Sequence, residues 1–217
     1  MLLFNDYGLA FLHINKTGGT SVKNVLKEHF GKNGFVRIGY PRHNELPVLH
    51  EPIDYKMRMM GTAFNKWAVT TTIRNPYARF VSLYAFRQKQ YHLGKIGGGG
   101  PDATAHAVGN DFKPWLRDII FGDEKWRTVN FTLTRFLNDG RPPSNLVVFR
   151  IEEIGKILPP FLEEKFGIHI NSVPHDNKTE HKPFMDYYDS ELRHFIYQQE
   201  KYIIDKYYPE FKYPEVI

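Results

Sequence analysis

The chain has 217 residues, enough to bury a full core yet within the range of one domain, so a single domain over 1–217 is expected. It is 41% hydrophobic and 24% charged, with mean hydropathy -0.47 and no apolar run near the roughly 20 residues that cross a bilayer, so no membrane span is expected. With no cysteine it has no disulfide, no thiolate nucleophile and no Cys-ligated zinc, which fits a cytoplasmic address. The net charge of +5 is unevenly spread: residues 1–95 carry 14 Lys/Arg against 5 Asp/Glu, and residues 96–217 carry 15 against 19. Either a polyanionic ligand or a solvated surface accounts for the cationic first half.

The start, MLLFNDYGLAFLHI, is apolar but lacks a basic leader and is broken by Asn5 and Asp6, so it reads as a core strand rather than a signal peptide. Residues 8–14 form a short apolar run bounded by turn residues, the pattern of a buried strand. Val22, Val25, Leu26, His29 and Phe30 then recur at helical spacing, with Gly31 placed to end the helix. A second strand is expected over Trp67–Ile73, followed by a helix capped by Asn75, opened by Pro76 and running to about Tyr91. Residues 94–110 contain four consecutive glycines and read as a flexible loop, either a lid or a plain insertion. The run 146–151 gives a third strand, a helical stretch follows near Phe161–Phe166, and Asp189 is placed to cap a long final helix. Strands alternating with helices predict an α/β fold, P-loop-like and three-layered, with a central, largely parallel sheet flanked by helices.

Lys16-Thr17-Gly18-Gly19-Thr20-Ser21 stands where the first strand gives way to the first helix. Glycines let the backbone approach a ligand, and a helix N-terminus offers N–H groups at the positive end of its dipole. Lys16 adds a point charge, and Thr17, Thr20 and Ser21 add hydroxyl donors. A Walker A loop places its lysine after the glycines, and here it precedes them, so nucleotide hydrolysis loses its main support. At the second strand end Arg74 can fork onto a phosphate, and Ser82, eight residues on, can donate a further hydrogen bond. Arg79 has the competing reading of a structural partner to a carboxylate or a helix end. Two anion grips on two strand ends imply a ligand with two separated phosphate-like groups.

These two stretches, K-T-G-G-T-S and R-N-P-x-x-R-x-x-S-x-Y, resemble the nucleotide-binding signatures of sulfotransferases that use 3′-phosphoadenosine-5′-phosphosulfate (PAPS). The likeness is to the carbohydrate branch that includes heparan sulfate 2-O-sulfotransferases and many small bacterial enzymes. FRIEEI (149–154), the stretch 174–192 and the tyrosine-rich end extend it, while 94–145 matches poorly. The resemblance implies that Lys16, Thr17, Gly18, Gly19, Thr20 and Ser21 cradle the 5′-phosphosulfate, that Arg74 and Ser82 bind the 3′-phosphate, and that Asn177 and Lys178 assist at the nucleotide.

Sulfuryl transfer to a hydroxyl needs an aligned acceptor, a base for its proton, and positive charge on the leaving phosphate, which Lys16 can provide. A histidine suits the base because its ordinary pKa of about 6.5 lies near working pH. The family's carbohydrate branch carries a catalytic histidine between the two binding motifs, which implies His43 in GYPRHNELP; His50 and Glu45 stay open as alternatives. Lysine, arginine and backbone amides can serve the transferred group, so no metal is expected. The acceptor is read as a carbohydrate or small molecule, with Tyr84, Tyr91 and Trp115 either stacking on a sugar or sitting in the core. The competing functions are a P-loop-type kinase using ATP and a non-catalytic polyanion-binding module. No nucleic-acid motif appears, so no nucleic-acid partner is expected.

Overall fold

The computed structural model describes residues 1–31, 35–37, 52–93, 111–121, 132–174 and 181–213. The glycine-rich stretch 94–110 lies outside them. The chain divides into two compact units, each made of two segments: Met1–Arg74 with Phe136–Asn177, and Asn75–Arg135 with Lys178–Ile217.

The first unit is built on a five-stranded sheet. Its strands are β1 (Leu2–Phe4), β2 (Leu9–Leu12), β3 (Phe35–Arg37), β4 (Ala68–Ile73) and β5 (Leu146–Arg150), in the order β3-β1-β2-β4-β5. β2, β4 and β5 run parallel, while β1 pairs antiparallel with both β2 and β3. The apolar start is therefore two strands rather than one. Asn5–Tyr7 form a 3-10 turn, and Gly8, at φ 59, takes a left-handed conformation that reverses the chain and donates its N–H to the Asn5 carbonyl at 3.2 Å. Asn5 and Asp6 were the visible sign of this break.

Helix α1 (Gly19–Phe30) follows β2 and ends at Gly31, as its spacing predicts. Helix α2 (Ile53–Met60) precedes β4 and lacked a sequence signal strong enough to announce it. Helix α6 (Ile154–Phe166) follows β5 and starts earlier than the expected stretch. Val22, Val25, Leu26 and Phe30 of α1 share one core with Leu2, Phe4, Leu9 and Phe11 of the sheet and with Leu158 and Leu162 of α6. Apolar burial on this face supplies the main folding term, at about 25 cal/mol per Å² removed from water.

The second unit is helical. It contains α3 (Pro76–His92), α4 (Phe112–Phe121), most of the short helix α5 (Leu133–Phe136) and α7 (Ser190–Tyr207). Asn75 accepts from the Ala78 N–H at 3.2 Å and Asp189 from the Leu192 N–H at 2.7 Å, so both expected caps form. Tyr84 packs at 5.1 Å from Trp115, centroid to centroid, and both sit in the core, which settles their two readings in favour of packing. The Tyr91 side chain lies outside the described residues. Lys113 of α4 bridges Asp189 and Glu191 at the start of α7, at 2.8 and 2.6 Å. Its ammonium holds both carboxyls below their usual range, although these exposed pairs contribute little stability.

Arg79, fully buried on α3, has the structural role anticipated as one of its readings. Its charge is compensated by Glu200, itself fully buried, at a point where α7 leaves helical geometry (φ -116, ψ 20). That break turns the Glu200 carboxylate onto the start of α5, where it accepts from the N–H groups of Leu133 and Thr134 at 2.6 and 2.8 Å and from the Thr134 hydroxyl at 2.9 Å. Burial lowers the Arg79 guanidinium to about 10 and raises the Glu200 carboxyl, each opposed by the other's charge. Arg79→Met strands a buried carboxylate, and we expect it to cost roughly 3–5 kcal/mol in urea unfolding. The double variant Arg79→Met/Glu200→Gln should recover at least half of that loss.

Candidate functional site

The parallel register fixes what lies at one edge of the sheet. Leu12 stands opposite Thr71, and Ile73 opposite Arg150, so β2, β4 and β5 all end on the same side. The loop 13–18, Arg74 and Arg150 therefore lie at the carboxyl edge, where open α/β sheets collect ligands. Arg150, which the sequence placed only within a family-like segment, adds a third cation there and lies 3.7 Å from Glu153.

Three buried threonines of β4 tie the loop to the sheet. Thr70 donates to the Ala10 carbonyl at 3.1 Å and Thr71 to the Leu12 carbonyl at 2.8 Å. The Thr72 hydroxyl meets the Thr17 hydroxyl at 3.0 Å, and Thr17 in turn donates to the Ile14 carbonyl at 2.9 Å. Thr17 is wholly buried, and its hydroxyl proton is committed to Ile14. Of the groups expected at a phosphate, the Thr17 hydroxyl is thus a brace for the loop.

The loop itself is held in an uncommon backbone conformation. Lys16 has φ 61 and Gly18 φ 72, both left-handed; glycine tolerates this and lysine does not favour it. Left-handed residues in such loops turn backbone N–H groups inward and make concavities suited to anions. The glycines also answer to packing. A Cβ on Gly18 would collide with the Ile151 side chain, and one on Gly19 with the His13 ring. His13, buried at the end of β2, stacks on Phe11 with centroids 5.9 Å apart, so its ring is a fixed wall behind Gly19. The sequence reasoning assigned His13 no role; an aromatic-sized side chain five to six residues before a glycine pair was the available signal.

Helix α1 begins at Gly19 with Gly18 as its cap, so its capping residue supplies no side-chain hydrogen bond, and no acidic residue stands in its first turn. Its positive end is therefore not neutralised by an acidic side chain of that turn. The Thr20 hydroxyl makes no hydrogen bond among the described residues, and Ser21 is buried at 5% exposure, its N–H donating to the Gly18 carbonyl at 3.1 Å. Lys16 and Arg74 are half-buried, each following the end of a parallel strand. Ser82 lies on α3 in the second unit, buried, with no hydrogen bond to its hydroxyl among the described residues. His43, His50, Glu45, Asn177 and Lys178 lie outside the described residues. Among the described residues no group of three or more His, Asp or Glu is placed to hold a metal ion.

The site therefore joins a lysine-first glycine loop at a helix N-terminus to an arginine on the neighbouring parallel strand. A family model described as the sulfotransferase family matches residues 1–199, and the chain belongs to that family. Its chemistry is accordingly sulfuryl transfer. No curated protein matches the chain.

The brace and the wall lead to separable outcomes. Thr17→Val should lower stability by about 1–3 kcal/mol, the range for orphaning a buried hydrogen-bonding group, while leaving affinity for adenosine 3′,5′-bisphosphate, the nucleotide that the motif resemblance implies, within about threefold. Thr20→Val should do the reverse. Gly19→Ala should weaken that nucleotide at least tenfold, and adding His13→Ala, which removes the obstructing ring, should restore part of the affinity; calorimetric titration reads the affinities and urea unfolding the stabilities.

Proposed function

We propose that the protein transfers a sulfuryl group from PAPS to a hydroxyl of a carbohydrate or small-molecule acceptor, by in-line displacement with a histidine base. The observation that carries this reading is the pairing, on adjacent parallel strands, of the Lys16–Ser21 loop with Arg74, because a donor with separated 3′ and 5′ anionic groups needs two grips. The residues present in the first unit suit such a ligand: left-handed Lys16 and Gly18, a helix start without a side-chain cap, and the Thr20 hydroxyl, which makes no hydrogen bond among the described residues.

In this reading the backbone of 17–21 and the Lys16 ammonium hold the 5′ side, and Arg74 and Ser82 hold the 3′-phosphate. Asn177 and Lys178 assist at the nucleotide. When bound, the nucleotide supplies the sulfuryl group and takes the negative charge of the leaving phosphate. Lys16 stabilises that charge, and the uncapped N-terminus of α1 adds its dipole. His43 takes the acceptor proton, with His50 or Glu45 as its substitute should His43 prove dispensable. The lysine-first order argues against ATP as the donor, since a P-loop kinase places its lysine after the glycines.

A screen of hydroxyl-bearing acceptors with labelled PAPS should give transfer that survives chelation. Lys16→Ala and His43→Ala should each lower it at least 100-fold, the scale of a lost charge stabiliser or general base. Full activity in both variants, or activity abolished by chelation and restored by magnesium, would sink the mechanism.

A further inference from the structure

Gly18 and Gly19 join the loop to α1 and carry the most backbone freedom of that stretch, yet an anion received by the first N–H groups of a helix needs those groups held in place. The capping residue cannot hold them with a side chain, because it is Gly18. The restraint comes from two neighbours outside the helix. A Cβ on Gly18 would overlap the side chain of Ile151, which opens the 3-10 turn Ile151–Glu153 after β5 and packs on the sheet core. A Cβ on Gly19 would overlap Cδ2 of His13 and lie 2.6 Å from its Nε2.

In a helix the Cα–Cβ bond tilts towards the N-terminus, so a group standing where the Gly19 Cβ would be lies at the N-terminal end of α1, beside the N–H groups of its first turn. From the end of β2, His13 thus fills the space that a side chain at 19 would fill from within the helix. The ring is fixed on its other side as well. It is 9% exposed and stacks on the wholly buried Phe11, with centroids 5.9 Å apart and planes 22° apart. Leu12, between them, accepts from the Thr71 hydroxyl at 2.8 Å, and Phe11 belongs to the core that the sheet shares with α1. The imidazole is therefore a packed spacer between the end of β2 and the start of α1, and close packing of this kind transmits position.

We propose that His13 is a positioning residue for the 5′ anionic group of the donor: its imidazole, seated in the space that Gly19 leaves, sets the first turn of α1 and so aims the N–H groups that receive that group. The identity of the ligand rests on the PAPS reading; the contact with Gly19 does not. His13 acts by filling space, so neither its charge nor a hydrogen bond to the ligand is required. A reciprocal relation follows. His13→Ala opens a gap and Gly19→Ala overfills the same space, so each alone disturbs the turn, whereas in the double variant the new methyl group enters the vacated space.

The test titrates the full chain calorimetrically with adenosine 3′,5′-bisphosphate, adenosine 5′-monophosphate and adenosine 3′-monophosphate, and reads amide hydrogen exchange at the start of α1 without nucleotide. The parent is compared with His13→Ala, His13→Gln, Gly19→Ala and His13→Ala/Gly19→Ala. His13→Ala should weaken the two nucleotides that carry a 5′-phosphate about tenfold, leave the 3′-monophosphate within about twofold, and speed exchange in the first turn of α1. His13→Gln, whose amide reaches about as far as Nε2, should keep the affinities within about threefold, and the double variant should bind more tightly than either single one. Thr70→Val, which removes a buried hydrogen bond within the sheet, controls for lost stability and should leave all three affinities within about twofold. Should His13→Ala not fold, His13→Val is the milder truncation and is read in the same way. The proposal is overturned by an equal loss for all three nucleotides, by unchanged exchange, by a double variant no better than the single ones, or by a loss in His13→Gln as large as in His13→Ala, which would make the imidazole a ligand contact instead. A parent that does not bind the bisphosphate would count against the PAPS reading alone, since hydrogen exchange tests the positioning without nucleotide.

Discussion

The parallel pairing of β2 with β4 is the constraint on which the rest of the site depends. With Leu12 opposite Thr71, the chain leaves both strands at the same edge, and a shift of register would separate the loop after β2 from Arg74. Three buried threonine hydroxyls oppose such a shift, because each has a partner on β2 or its loop that a slip would leave unsatisfied inside the protein. The Thr17–Thr72 contact carries this restraint from the sheet into the loop. Backbone order around Lys16 is therefore fixed by hydrogen bonds beneath it.

The loop shows why sequence similarity of a motif and the roles of its members are different matters. Lys16, Thr17, Gly18, Gly19, Thr20 and Ser21 read as six phosphate-facing residues, but their surroundings divide them. Thr17 faces the protein, Gly18 and Gly19 yield space to Ile151 and His13, and Thr20 keeps an uncommitted hydroxyl. Glycine is required at 18 on two counts, a left-handed φ and the Ile151 side chain, and at 19 by the His13 ring.

Periodicity made α1, α3, α7 and the parallel strands legible, because each has a long apolar face and a cap the chain announces: Gly31, Asn75 with Pro76, Asp189. β1, β3 and α2 were harder. β1 and β3 have three residues each, too short for alternation to show, and β1 was absorbed into the apolar run it begins. That the Lys16–Ser21 loop and Arg74 each follow a strand was readable from residue type and position, and the register puts both at one edge of the sheet. The Thr17–Thr72 brace, the His13 wall and the Glu200 break were not, since each depends on partners distant in sequence: Thr72 lies 55 residues from Thr17, and Glu200 acts on residues 66 and 67 positions away.

The two proposed anion grips on one sheet edge make a quantitative demand on nucleotide recognition, and the ratio of dissociation constants for adenosine 3′,5′-bisphosphate and adenosine 5′-monophosphate measures it most directly. The account predicts that the parent binds the bisphosphate at least about 30-fold more tightly, roughly 2 kcal/mol for a charge-assisted phosphate contact, and that Arg74→Ala reduces the ratio to near one. Equal affinity for the two nucleotides in the parent, or an undiminished ratio in Arg74→Ala, would contradict it.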